Sequence, residues 1–249
     1  MERKGAEGTS ALRPDGPKTD IITPKMMTHP RPSAHWMGTR QVVVPSAGAQ
    51  LPGLLAMPAH PTGLVVCAHG SGSSRHSPRN RAVAKHLVNG GLATLLFDLL
   101  TEDEDRSNAQ MRSKRFDIEL LTERMIGAID WLASQEPLAH LPLGLFGAST
   151  GSAACLRAAA ARPQQVRAIV SRGGRPDLAF DVLAAVRSPT LLIVGSNDID
   201  VLELNAWAAS HLQTSHAIKV VAGAGHRFDE PGCLEETARL ARDWFKIQL

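Results

Sequence analysis

From Thr39 to the end of the chain, short apolar runs alternate with segments of helical spacing, and this alternation restricts the fold more than any other feature. GLVVCAHG, LATLLFDLL, LPLGLFG, VRAIVS, SPTLLIVGS and HAIKVVAG read as strands that are apolar on both faces. Between them lie RNRAVAKHLVNGG, RFDIELLTERMIGAIDWLAS, the alanine-rich stretch after Ser149, residues 177–186 and VLELNAWAASHL, all read as helices; CLEETARLARDWFKIQ is the last helix. A strand apolar on both faces must be covered on both, and helices that return each strand parallel to the one before do that. The expected class is α/β, with a mostly parallel sheet and helices on both faces. TRQVVVPS and LPGLLAMP, joined by SAGAQ, precede it as a hairpin-like pair. TEDEDR reads as a solvated acidic loop. Too few residues separate VRAIVS from SPTLLIVGS for a large lid domain.

Residues 1–37 are rich in Pro, Gly, Thr and Lys and show no periodicity, so they are expected to form a flexible extension to a single domain at 38–249. Met26, Met27 and Met37 are each plausible translation starts. The formal charge of +3 comes from the first 40 residues, with seven Lys/Arg against four Asp/Glu; the remainder holds twenty of each. A neutral domain with 4% aromatic residues and no tyrosine lacks the basic, aromatic stripe of a nucleic-acid binder. No apolar stretch is long enough to span a membrane, and MERKGAEGTS has no apolar core for a secretory signal. Three cysteines without a C-x-x-C pair do not suggest a disulfide framework. A cytoplasmic setting is expected.

The stretch LPLGLFGASTGSAACLRAAA sets Ser149 between Gly147 and Gly151, where a buried strand passes into a helix. A sharp strand-to-helix turn brings backbone close to backbone, so small residues must flank it. Such a turn presents the serine hydroxyl at the carboxyl edge of the sheet, beside the N–H groups of the helix start. Serine is a poor nucleophile without a base, and the base needs an orienting carboxylate. Asp198 in IVGSNDID and His226 in GAGHRF follow later strands at the same edge and in the required order. Asp200 is a weaker candidate because it suits a helix start, and Asp177 would serve only in a variant arrangement. His216 opens its strand at the wrong edge, His211 sits late in a helix, and His69 precedes the serine. Two backbone N–H groups are expected to hold an oxyanion: that of Thr150, and that of Ser71 in AHGSGSSRHSPRN, with Gly72 next in order. This loop lacks the G-K-[ST] ending of a phosphate loop.

CAHGSGSS, FGASTGSAA, IVGSND and GAGHRF together resemble the α/β-hydrolase superfamily, and more closely its dienelactone hydrolase-like branch, over residues 39–249. The resemblance implies an eight-stranded, mostly parallel sheet and a Ser149–Asp198–His226 triad. It also implies ester hydrolysis without metal or cofactor. The namesake enzymes of the branch use cysteine as nucleophile. Ser149 stands at that position here, which directs the expectation from dienelactone to small esters and lactones. Arg172 and Arg175 in SRGGRPD, and Arg75 and Arg79 in SSRHSPRN, fall at the same edge. They either pair with loop carboxylates or attract an acidic substrate. A thioesterase or amidase with the same triad, and a binding protein on the same scaffold, are the alternative functions.

Overall fold

The computed structural model describes the backbone of residues 38–111 and 114–249; the expected extension at 1–37 lies outside the described residues. Eight strands form one sheet in the order β1-β2-β4-β3-β5-β6-β7-β8. They are β1 (Gly38–Ser46), β2 (Ala49–Met57), β3 (Gly63–Ala68), β4 (Leu92–Phe97), β5 (Leu143–Ala148), β6 (Val166–Arg172), β7 (Thr190–Gly195) and β8 (His216–Val221). β1 and β2 are antiparallel, as are β2 and β4, and β3 to β8 run parallel. The β1–β2 turn places Ala47 at φ 45° and Gly48 at φ 72°, the left-handed pair that matches the twist of a tight hairpin.

The described residues form six α-helices: α1 (Pro78–Asn89), α2 (Glu102–Met111), α3 (Ile118–Ala133), α4 (Thr150–Ala161), α5 (Ile199–Ala209) and α6 (Cys233–Gln248). Alternation along β3 shows how they divide. Leu64, Val66 and Ala68 enter a core with α3 and α4, whereas Val65 and Cys67 face a second core with α1 and α6. Every residue of β3, β4, β5 and β7 is buried, as their unbroken apolar runs require. Residues 177–186, read as a helix, fall in a 3₁₀ helix at Pro176–Ala185 with non-helical angles at Ala179.

TEDEDR is not a loop. It opens α2 by a reciprocal cap: the Glu104 N–H donates to Thr101 Oγ1 at 3.2 Å and the Thr101 N–H donates to Glu104 Oε2 at 2.9 Å. Glu102, Asp103, Glu104 and Asp105 crowd the first turn, where the helix dipole favours anions. Glu104 also receives the guanidinium of Arg124 at 3.1 Å, and Arg124 is buried in α3. Arg115, in the 3₁₀ turn Lys114–Phe116, donates to Asp105 at 2.9 Å. The segment between β4 and α3 is thus fastened beside the carboxyl edge of the sheet.

His69 ties the ends of β3 and β4 together. Its Nε2 accepts the Leu99 N–H at 3.0 Å, so the ring proton sits on Nδ1, which donates to the Gly70 carbonyl at 3.0 Å. Burial holds the pKa of His69 below the ordinary histidine value.

Two outcomes follow from these ties. Thr101→Ala removes half of the α2 cap and should lower stability by about 0.5–2 kcal/mol in urea unfolding. The unfolded chain takes up a proton at His69 near pH ~6.5 that the folded chain resists, so this residue makes stability fall as pH drops below about 6.5. The loss of urea midpoint between neutral and mildly acidic pH should therefore be smaller in His69→Gln than in the wild-type protein. Equal losses would show that His69 is not a source of the pH dependence.

Candidate active site

Ser149 is the one residue between β5 and α4, and its backbone lies at φ 50°, ψ −123°. This conformation is strained for any residue with a Cβ and is held by four hydrogen bonds. The Ser149 N–H donates to the Arg172 carbonyl at 3.2 Å. The Ser149 carbonyl accepts from the Ser152 N–H at 3.1 Å, the Ser152 hydroxyl at 2.7 Å and the Arg175 N–H at 3.1 Å. The flanking glycines are required by space. A Cβ on Gly147 would lie 2.4 Å from Ser152 Cα, and one on Gly151 would lie 2.6 Å from the carbonyl oxygens of Ala68 and His69. A Cβ on Gly70 would lie 3.0 Å from Ser149 Cβ, so the loop after β3 passes directly over the serine.

Asp198 and His226 stand on adjacent loops, after β7 and β8. The His226 Nδ1 donates to Asp198 Oδ2 at 2.7 Å. Asp198 occupies the N-cap position of α5, yet its side chain makes no capping bond, because the carboxylate is turned to His226. The two loops are clasped by one backbone bond and one backbone-to-side-chain bond. The Asn197 N–H donates to the Ala224 carbonyl at 2.9 Å, and the Gly223 N–H to Ser196 Oγ at 2.8 Å. Gly195 permits the approach, since a Cβ there would sit 2.2 Å from the Ala224 oxygen. His226 lies close to Gly173, the residue after the one that accepts the Ser149 N–H. A Cβ on Gly173 would lie 3.6 Å from His226 Nδ1 and 3.1 Å from the His226 carbonyl oxygen. The Asp198 side chain is 15% exposed and that of His226 44%, which shields the anion and leaves the imidazole open to solvent and substrate.

The other expected residues are placed as follows. Thr150 is the first residue of α4, where an N–H has no acceptor within the helix. The Ser71 N–H does not face open space: it donates to Thr150 Oγ1 at 3.1 Å. Asp200 lies in the first turn of α5 and is exposed. The His226 Nδ1 bond goes to Asp198, and Asp177 is held by Arg175 in a two-bond pair at 2.8 and 2.7 Å. That pair engages the Arg175 guanidinium. Arg172 is 8% exposed, with its guanidinium carbon 6.0 Å from the ring centroids of both Phe146 and Phe228. Burial first, and then the charge of Arg79, lower its pKa to about 10. Neither placement supports the expected attraction of an acidic substrate. Arg75 pairs with Asp98 and Arg79 with Asp229, as the carboxylate-pairing alternative describes. His211 bonds the Trp207 carbonyl, and His216 bonds Thr214 at the opposite end of the sheet.

Sequence reasoning passed over Ser152, Gly173 and Gly195. Ser152 carried a readable signal: a second hydroxyl three residues after the turn serine, in reach of its carbonyl. The two glycines are legible only once the loops they separate are known. A recess beside the turn is lined by His69, Ser71, Leu100, Asp105, Arg115 and Thr150. A larger cavity, of about 520 Å³, opens among the starts of β3 and β5 and the C-terminal Leu249, away from the chemistry.

Residues 61–241 match the family described as "Alpha/beta hydrolase domain". A dienelactone hydrolase from Anabaena variabilis is 51% identical, with a TM-score of 0.83 over 85% of this chain and 98% of that one. Est1E from Butyrivibrio proteoclasticus shares the fold at 15% identity and a TM-score of 0.71, over 84% of this chain and 98% of its own. Two Mycobacterium tuberculosis proteins carrying the name phosphoribosyl transferase are 55% identical over 205 residues, 82% of this chain. The match spans only 45% of their length, so most of each relative lies outside it. With that sheet order, that turn and those relatives, the chain belongs to the α/β-hydrolase family, in its dienelactone hydrolase-like branch.

Proposed function

We propose that the chain is a serine hydrolase of small carboxylic esters or lactones, acting through an acyl-enzyme. The observation that carries this reading is the Asp198–His226 bond of 2.7 Å, made at the expense of a helix cap and at the sheet edge that presents Ser149. A carboxylate committed in this way fixes the imidazole with its proton on Nδ1 and leaves Nε2 as a base. Ser149 Oγ attacks the acyl carbon and His226 takes its proton. Asp198 stabilises the resulting imidazolium. The proton passes to the leaving alkoxide, and His226 next activates water to release the acid. The Thr150 N–H at the start of α4 supports the tetrahedral oxyanion.

The substrate is proposed to lie at the solvent-exposed face of His226 beside Ser149, with no more than an oxygen-sized group entering the recess between the loop after β3 and α2, which has room for about 10 Å³. Leu100 gives the recess an apolar wall, and Asp105 with Arg115 a paired polar one. Nothing in this reading requires a charged substrate, because Arg175 is paired and Arg172 is buried.

Nitrophenyl esters of short and medium acyl chains should be hydrolysed by the wild-type protein. Ser149→Ala should lower the rate by about 10⁴-fold or more. A fluorophosphonate should label the wild type and not that variant. No labelling and no turnover in a folded wild-type protein would point instead to a binding protein. Thioesters and amides of the same acid, tested in parallel, would reveal a different leaving-group preference. Asp198→Asn should keep the fold and lower kcat by about 10³–10⁴-fold, because the amide no longer enforces the required imidazole tautomer. Retention of wild-type kcat would remove Asp198 from the mechanism.

A further inference from the structure

The peptide unit between Gly70 and Ser71 is held at both ends. Its carbonyl accepts from His69 Nδ1 at 3.0 Å, and its N–H donates to Thr150 Oγ1 at 3.1 Å. His69 is in turn fixed by the Leu99 N–H on Nε2. These bonds form one directed chain: Leu99 N–H to His69, His69 to the Gly70 carbonyl, Ser71 N–H to the Thr150 hydroxyl. Each donor in such a chain is strengthened by the bond behind it. A threonine hydroxyl has one hydrogen and two lone pairs. One lone pair of Thr150 Oγ1 is taken by Ser71, and the hydroxyl hydrogen has no acceptor among the described residues. Thr150 is 2% exposed but lines the recess beside the turn, so the hydrogen is left to point into that oxygen-sized space. The chain therefore ends in an unused donor on the residue next to Ser149.

We propose that the Thr150 hydroxyl donates to the oxyanion alongside the Thr150 N–H, and that the Ser71 N–H acts through this hydroxyl rather than on the substrate directly. Thr150 is then a catalytic residue through its side chain, and His69 and Ser71 are positioning residues. No covalent bond is added to the reaction; the hydroxyl keeps its hydrogen and gives up its hydrogen bond when the tetrahedral oxygen collapses. This inference rests on the serine-hydrolase reading above.

The test compares Thr150→Ser, Thr150→Ala and Thr150→Val with the wild type. It follows kcat and KM on a nitrophenyl ester, inhibition by a trifluoromethyl ketone with the same acyl group, and thermal unfolding. The ketone forms a tetrahedral adduct with the serine and so reports on the oxyanion. Thr150→Ala and Thr150→Val should lose about 10²-fold or more in kcat, the usual effect of removing one oxyanion donor. Ketone affinity should fall in step while KM stays close to wild type, and Thr150→Ser should restore both. Undiminished or faster turnover by Thr150→Ala would show that the hydroxyl only plugs the Ser71 N–H, and would overturn the proposal. So would a loss confined to KM and unfolding temperature, which is what a structural role predicts. Fluorophosphonate labelling of wild-type Ser149 separates the two levels of failure. If labelling succeeds but the variants behave as wild type, only the assignment of Thr150 fails. If the wild type neither labels nor turns over, the hydrolase reading fails with it.

Discussion

The carbonyl of Ser149 accepts three hydrogen bonds, two from Ser152 and one from Arg175, and the order of the whole carboxyl edge rests on it. A serine at φ 50° costs about 1–3 kcal/mol, so the surroundings must over-determine it. They do so from two directions. α4 supplies the Ser152 donors, the end of β6 supplies the Arg172 acceptor, and the loop after it supplies the Arg175 donor. The strained turn is therefore welded to β6, and Gly173, next after β6, lies close to His226. Position and strain come from one network.

Much of this was legible before any coordinates. The strands could be read because each is buried on both faces, which removes polar alternation and leaves unbroken apolar runs. α6 runs from Cys233 to Gln248, as its spacing implied. The edge on which Ser149, Asp198 and His226 stand followed from parallel strands alone, since loops after parallel strands share one edge. What escaped has physical reasons. α2 was hidden by its charge: acids at Glu102, Asp103 and Asp105 look like a loop, but at a helix start they are stabilising, and the Thr101–Glu104 spacing was the signal. The partner of the Ser71 N–H depends on a side-chain torsion that no spacing reveals. The arginines could not be assigned because either pairing or substrate attraction suits an arginine at that edge; the structure pairs Arg175 with Asp177 and sets Arg172 near the rings of Phe146 and Phe228.

Charge near the turn is largely consumed within the protein. Asp98 faces Arg75, Asp105 faces Arg115, Asp229 faces Arg79, and His69 is kept neutral by burial. On the hydrolase reading, surroundings whose ions are already matched would select by shape and by hydrogen bonding more than by net charge.

The fastening of α2 has a consequence for how such a protein can diversify. The helix is pinned at its first turn, by Thr101 behind it and by Arg124 beneath it, while Glu102, Asp103 and Arg106 remain at the surface. The sheet and the strained turn make few demands on that surface. Substitutions there can accumulate without reaching the core, and those that shift Asp105 or Arg115 would reshape the wall of the recess. On the hydrolase reading, inheritance could thus keep the strained turn constant along one side of the recess while the other side drifts.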